Sequence, residues 1–442
     1  MYLLILLIAS IGLIVLAGSR LRIHPFLVLI LAGFFYGLTS GMGMFGTLEA
    51  ITKGFGDTLG RIGLIIVLGM LIGTFLEHSG GAMAIAKRVL QWIGHKGINW
   101  AMAAVGYIVS VPVFCDSGFI ILSSLMKGMA YRGGIPVTGP AVALALGLLA
   151  THTMVPPTPG PVAAIAILGA DLGLVLLWGL VISLLSLTVT LVFMGPVFRY
   201  MPIYASMDET NGSVSVERPS AAHAFLPVLI PIVLIVLGTV SEMPARPLGE
   251  GAVHRTLVVL GHPVVALIAG LLVALTLPKR FDKSMLSGDG WVGHSLVQAG
   301  SILLITGAGG AFGAVLQHSG LGLSLGELLA GKPLGIWVPF LIAAVLKTAQ
   351  GSSTVALLTA ASIVAPTLDT LGLNSEMGRA FTVIAIGAGS CVVSHANDSY
   401  FWVVTQLSGM DLRHGYALIS LGSALLGLSS ALLLYFLGLM LL

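Results

Sequence analysis

Apolar runs of 17 or more residues recur along this chain, separated by short polar or basic segments. A helix of about 20 apolar residues spans the hydrocarbon core of a bilayer, and the runs lack the ten-residue alternation of membrane barrel strands. The pattern predicts an all-α polytopic membrane protein with crossings at 2–18, 24–40, 61–77, 137–170, 173–198, 224–240, 261–277, 300–317, 379–408 and 415–441. The first run has no basic residue before it and Arg20 and Arg22 after it, which reads as a retained helix that starts outside, not as a cleaved signal.

Two of these runs are interrupted by polar residues and prolines. Thr151–Pro161 reads THTMVPPTPGP and Ser390–Trp402 reads SCVVSHANDSYFW. A carboxylate at the bilayer centre costs about 2.5–3.5 kcal/mol on insertion scales, so polar clusters at that depth imply a water- or ligand-lined cavity. Prolines free carbonyls, as an unwound, site-lining segment requires. Two further apolar stretches are also cut, 98–130 by VPVFCDSGF and 335–363 by LKTAQGSSTV. Lys87, Arg88 and Lys96 precede the first, and Lys127 and Arg132 follow it. Basic residues favour the cytoplasmic side, so both ends of 98–130 are expected there, with a re-entrant tip at Pro112 to Gly118.

Landmarks recur at offsets of 235 to 243 residues. His24-Pro25 matches His262-Pro263, His78-Ser79-Gly80 matches His318-Ser319-Gly320, and His152 matches His395. Asp116-Ser117-Gly118 falls opposite Gly351-Ser352-Ser353, and Asp171-Leu172 matches Asp411-Leu412. Five crossings precede the second unit, so the halves are expected to be two inverted repeats, each with a re-entrant hairpin and an interrupted transmembrane helix. The boundaries are 1–198 and 224–442, joined by a polar cytoplasmic linker, 199–223, with 241–258 as an outside loop. Of the 20 Lys and Arg residues, 13 fall in segments that this topology places inside.

Composition adds exclusions. Hydrophobic residues make up 57% of the 442 and charged residues 8%, against the ~25% charged of soluble domains, with a mean hydropathy of +1.05. A net charge of +3 scattered among loops makes no case for nucleic acid. No P-loop, HExxH or Cys/His metal spacing is present, so no metal, ATP-driven pump or organic cofactor is expected. The two cysteines, Cys115 and Cys391, make no disulfide framework.

The four broken elements carry the candidate chemistry. Hairpin tips and helix N-termini expose backbone N–H groups that can hold a carboxylate, and Gly351-Ser352-Ser353-Thr354 is the best anion cradle. The other reading of that segment is ordinary small-residue packing. Asp116, at the first tip with Ser117 and Gly118, can bind and release a proton during a transport cycle, and Asp398, beside Asn397, is its counterpart. His152 and His395 can donate hydrogen bonds or shuttle protons; each alone reads equally well as structural, and their matched positions favour function. Lys347 pairs either with a substrate carboxylate or with Asp398. His78 and His318, at helix ends before Ser-Gly, read as caps.

At these residues the chain resembles the gluconate permease family of proton symporters within the ion transporter superfamily. The resemblance covers nearly the whole chain and rests on SHANDSYFW at 394–402, PPTPGP at 156–161, GSSTVALLT at 351–359 and ADLG at 170–173. Thr158 stands where family members carry histidine, and Cys115-Asp116-Ser117-Gly118 stands where gluconate carriers have an aromatic, a glutamate and a valine, nearer to the aspartate-bearing D-serine branch. The resemblance implies a multi-pass protein of a bacterial-type inner membrane, and a homodimer. The activity it implies is import of a small hydroxylated monocarboxylate, gluconate or a related sugar acid, with protons. The alternatives are a D-serine or other short hydroxy or amino acid symporter and a sodium-coupled carboxylate transporter. A channel has less use for two occluding hairpins, and a membrane enzyme would use His395 and Asp398 on a substrate that emerges changed.

Overall fold

The computed structural model describes residues 2–94, 97–204, 219–242, 251–321 and 335–442. Within them the chain is helical, with no strand among the described residues. Six helical runs are long and apolar enough to cross a membrane, and a bent pair makes a seventh, again among the described residues.

The chain starts with α1 (Tyr2–Val15) and α2 (Pro25–Thr39). α3 (Gly43–His78) runs for 36 residues, well beyond the expected 61–77. Its first half is too glycine-rich and polar to read as a crossing, but it packs antiparallel on α13 (Trp291–His318), where a side chain on Gly54 would collide with the Gly310 carbonyl. Backbones that approach this closely gain dispersion contact, the usual driving force between helices in lipid. The short α4 (Gly81–Ile93) carries Lys87 and Arg88 on the side away from its buried alanines.

The stretch after α4 doubles back. α5 (Ile98–Val109) stops at the 110–114 turn and α6 (Cys115–Arg132) returns. Ile98, at the start of α5, reaches Gly133, which follows α6. The two ends therefore lie together, as a hairpin requires. α7 (Thr138–Met154) and α8 (Pro159–Leu168) are the two pieces of the interrupted 137–170 run. Val155 is extended, and Pro159 and Pro161 stand in the first turn of α8, where their missing N–H groups have no intrahelical partner to lose. α5 and α7 touch backbone to backbone, through Gly106 against Leu144 and Gly147 against Ala103.

α9 (Leu172–Tyr200) starts at Asp171, whose side chain accepts from the Leu174 N–H at 2.7 Å. The expected linker 199–223 is trimmed from both sides, because α9 runs to Tyr200 and α10 starts at Ala221; residues 205–218 lie outside the described residues. The expected outside loop 241–258 is corrected in part. α10 (Ala221–Glu242) enters it and α11 (Ala252–Gly261) takes up its end, while 243–250 lie outside the described residues, as does Lys96. Within the expected 261–277 crossing the helix is α12 (Pro263–Ala274), bent by 68° from α11 at the extended His262, so that the candidate span is the bent pair. Pro263 cannot donate into the preceding turn, so the helix has to restart there.

The second set of elements repeats this local grammar. α14 (Trp337–Gln350) and α15 (Ser353–Val364) pack on each other across the 351–352 turn. α16 (Glu376–Cys391) and α17 (Ser399–Leu407) are the pieces of the interrupted 379–408 run, and α18 (Leu421–Leu441) ends the chain. His78 and His318 each bond the carbonyl four residues back through Nδ1, before glycines at φ 74° and 79°. Asp411, like Asp171, accepts the N–H three residues on.

Candidate functional site

The four breaks converge. Lys347, in the last turn of α14, is 1% exposed, and its Nζ lies 2.6 Å from Asp398 Oδ2 and 2.9 Å from the Gly351 carbonyl oxygen. Of the two partners the sequence offers Lys347, Asp398 is the one in contact with it. A lysine buried this deeply has to be paired, since an isolated charge in a low-dielectric interior is too costly. Asp398 is buried too. It accepts from Ser394 Oγ at 2.5 Å and, as N-cap of α17, from the Tyr400 N–H at 3.1 Å.

Asp116, in the first turn of α6, lies within electrostatic reach of both members of this pair. Its Oδ1 is buried with no hydrogen-bond partner. His152 is buried near the end of α7 and also feels Lys347 and Asp398, and its Nδ1 has no partner. Its ring stands 5.9 Å from that of Phe114 at the first tip. Two buried polar atoms without partners, beside a buried ion pair, form an arrangement that a polar ligand would complete.

The other predicted residues are placed unequally. Thr158 lines a small cavity, about 10 Å³, with His152, Met70 and Phe114, but its hydroxyl donates to the Val155 carbonyl. Ser117 lines a second, adjoining cavity, and Gly118 packs on Leu148 of α7. At the second tip Gly351 adopts φ 77°, a conformation glycine takes without penalty, and its Cα lies against the Asn397 backbone. Ser352 caps α15 by accepting from the Val355 N–H, and Ser353 and Thr354 form the first turn of that helix. His395 Nε2 and Asn397 Nδ2 both bond the Thr348 carbonyl, at 2.8 and 2.9 Å. These two side chains tie the second break to the second tip, and Asn397 is exposed.

Contacts run crosswise between the sets. Tyr400 of α17 is edge-on to Phe119 of α6, at 6.4 Å, and donates to the Ala145 carbonyl of α7 at 2.9 Å. Gly160 of α8 meets Leu357 of α15, and Gly387 of α16 lies on the Thr153 carbonyl. Both cysteines are buried, and the Cys391 thiol donates to the Ala388 carbonyl.

Sequence reasoning missed Ser394 and Tyr400 as partners of the acid, although both lie in the SHANDSYFW run that singled out Asp398. It also missed Ser420 and Ser423. Ser423 Oγ accepts from the Ser394 N–H at 3.0 Å, and Ser420 Oγ donates to the Ser394 carbonyl. They hold the break next to Val393, a β-branched residue at φ 51°. Nothing in an apolar helix start marks those serines out.

Residues 1–440 match the model of the GntP family permeases. The chain is 36% identical to a gluconate permease of Pseudomonas aeruginosa, over 93% of this chain and 91% of that one. It is 36% identical to an uncharacterized permease of Haemophilus influenzae, over 89% and 83%, and 32% identical to the high-affinity gluconate transporter of Escherichia coli, over 92% and 93%. Among solved structures it is similar in fold to the YdaH transporter of Alcanivorax borkumensis, with a TM-score of 0.63 at 16% identity, covering 95% of this chain and 99% of that one. With its apolar helices and bacterial relatives, the chain is a multi-pass inner-membrane transporter, not an enzyme, and it belongs to the GntP permease family.

Proposed function

We propose that this permease imports a small hydroxylated monocarboxylate, gluconate or a related sugar acid, together with protons, by alternating access. The observation that carries the reading is the buried Lys347–Asp398 pair, with the unpartnered oxygen of Asp116 within electrostatic reach of it, at the point where four helix breaks meet. The breaks supply free N–H groups for a carboxylate, with His152, Thr158 and the 351–354 tip around it. Asp116 is the favoured proton carrier. Asp398 is already held by Lys347, Ser394 and the Tyr400 N–H, while Asp116 has an oxygen to spare. His395 is engaged with the Thr348 carbonyl, which leaves His152 as the freer imidazole.

The two sets of elements, 1–198 and 224–442, are read as inverted halves joined by the cytoplasmic linker 199–223. Support comes from the matched His-Pro helix starts, His-Ser-Gly helix ends and aspartate caps, and from the crosswise contacts. A homodimer belongs to the same reading and rests on the resemblance alone. The gluconate permeases among the relatives point to a sugar acid. The small, aspartate-bearing first tip favours the second reading, a D-serine or other short hydroxy or amino acid symporter.

The test is uptake by purified protein in proteoliposomes, with radiolabelled gluconate and D-serine in turn. Gluconate accumulation driven by an inward proton gradient, abolished by a protonophore, is expected. Accumulation of D-serine alone would move the substrate to the second reading. Accumulation that needs a sodium gradient instead would replace the coupling ion.

A further inference from the structure

A second cavity, about 70 Å³, lies behind the first tip. Its walls are Glu77 and His78 at the end of α3, His294, Ser295 and Gln298 at the start of α13, and Ser117 on α6. Met70, Pro112, Val113 and Phe114 line both this cavity and the one that holds His152 and Thr158. The two spaces are therefore separated by one turn of chain at the hairpin tip.

The polar lining is set up for a ligand with hydroxyl groups. His78 Nδ1 is 3.0 Å from the Thr74 carbonyl and His294 Nδ1 is 2.9 Å from the Gly290 carbonyl, so Nδ1 is the donor in each ring and Nε2 is the nitrogen left for another partner. Gln298 adds an amide, and Ser295, 2% exposed, has a hydroxyl with no partner. The side of the membrane follows from charge. α3 leads directly into α4 with Lys87 and Arg88, and α13 follows Lys279, Arg280 and Lys283, so the helix ends that wall the cavity belong on the cytoplasmic side. Glu77 on the same wall opposes prolonged residence of an anion, which suits a place of release more than one of capture.

We infer that this cavity is a cytoplasmic release vestibule for the hydroxylated carboxylate, with Met70 and the Pro112–Phe114 turn as the gate between it and the central site. The inference rests on the transport reading above.

The experiment measures gluconate counterflow from each side separately, in right-side-out and inside-out membrane vesicles. Losing one hydrogen bond in His294→Leu is expected to raise the cytoplasmic-side KM about three- to tenfold, with the external-side KM unchanged. Glu77→Gln is expected to lower the cytoplasmic-side KM, the opposite sign, which a merely structural role would not produce. A cysteine placed by Gln298→Cys should react with an impermeant maleimide only from the cytoplasmic side, more slowly with saturating gluconate. Equal shifts in both KM values, no shift in either variant, or labelling from outside would overturn the vestibule while leaving transport intact. Absence of gluconate counterflow in the unmodified protein would instead remove the sugar-acid reading on which it rests.

Discussion

Lys347→Met removes the cation from the buried pair and keeps most of the side-chain volume. At 2.6 Å and an effective dielectric constant near 20, the Lys347–Asp398 attraction is about 6 kcal/mol, much of it offset by the desolvation of two charges in a dry interior. Removing one partner forfeits the attraction and leaves the desolvation of Asp398 uncompensated, a cost of about 3–5 kcal/mol. The Gly351 carbonyl loses its donor at the same time, so the second tip loosens. Lys347→Met/Asp398→Asn removes both charges and should recover most of the loss, because the side-chain carbonyl of the introduced asparagine can still accept from the Tyr400 N–H. The assay is a double-mutant cycle on thermal unfolding in detergent, followed by the fluorescence of the protein's six tryptophans. A coupling energy of at least about 2 kcal/mol is expected. If Lys347→Met unfolds at the same temperature as the unmodified protein, or if the two single changes simply add, the two groups do not form the buried pair described here.

Asp116→Asn should preserve counterflow of substrate while abolishing proton-driven accumulation, because the amide mimics the protonated acid but cannot titrate; accumulation at the unmodified rate in proteoliposomes would return the proton to Asp398 or His152. Cysteines introduced by Trp100→Cys and Tyr131→Cys, both at exposed positions near the joined ends of the hairpin, should be labelled only from the cytoplasm, and labelling from opposite sides would dismiss the re-entrant path. Gly106→Val should cost about 1–3 kcal/mol or more by forcing α5 off the Leu144 and Leu148 backbone, whereas Gly128→Ala, with open space around it, should be neutral or slightly stabilising; size-exclusion profiles and melting temperatures of the two would separate them.

The order of helices, the positions of the four breaks and the acids and histidines at them were legible in the amino-acid sequence, because each depends on local chemistry. Apolar runs set span length, Pro156–Pro161 and the 394–398 polar cluster exclude a continuous helix, and Gly351 suits a turn that needs positive φ. What the run of residues left open is everything set by distant contacts. Lys347 had two candidate partners until folding brought it to Asp398, 51 residues away. Residues 43–60 are helical because Gly54 and Thr58 meet Gly310, a close approach that local hydropathy does not encode. That Ser117 lines a cavity with Glu77, His78 and His294 depends on where α3 ends and α13 begins. Periodicity and composition act over a few residues along the chain, so they determine where most apolar helices lie and where they break. Charge pairing and cavity walls depend on which of those segments meet, and only the tertiary structure decided that.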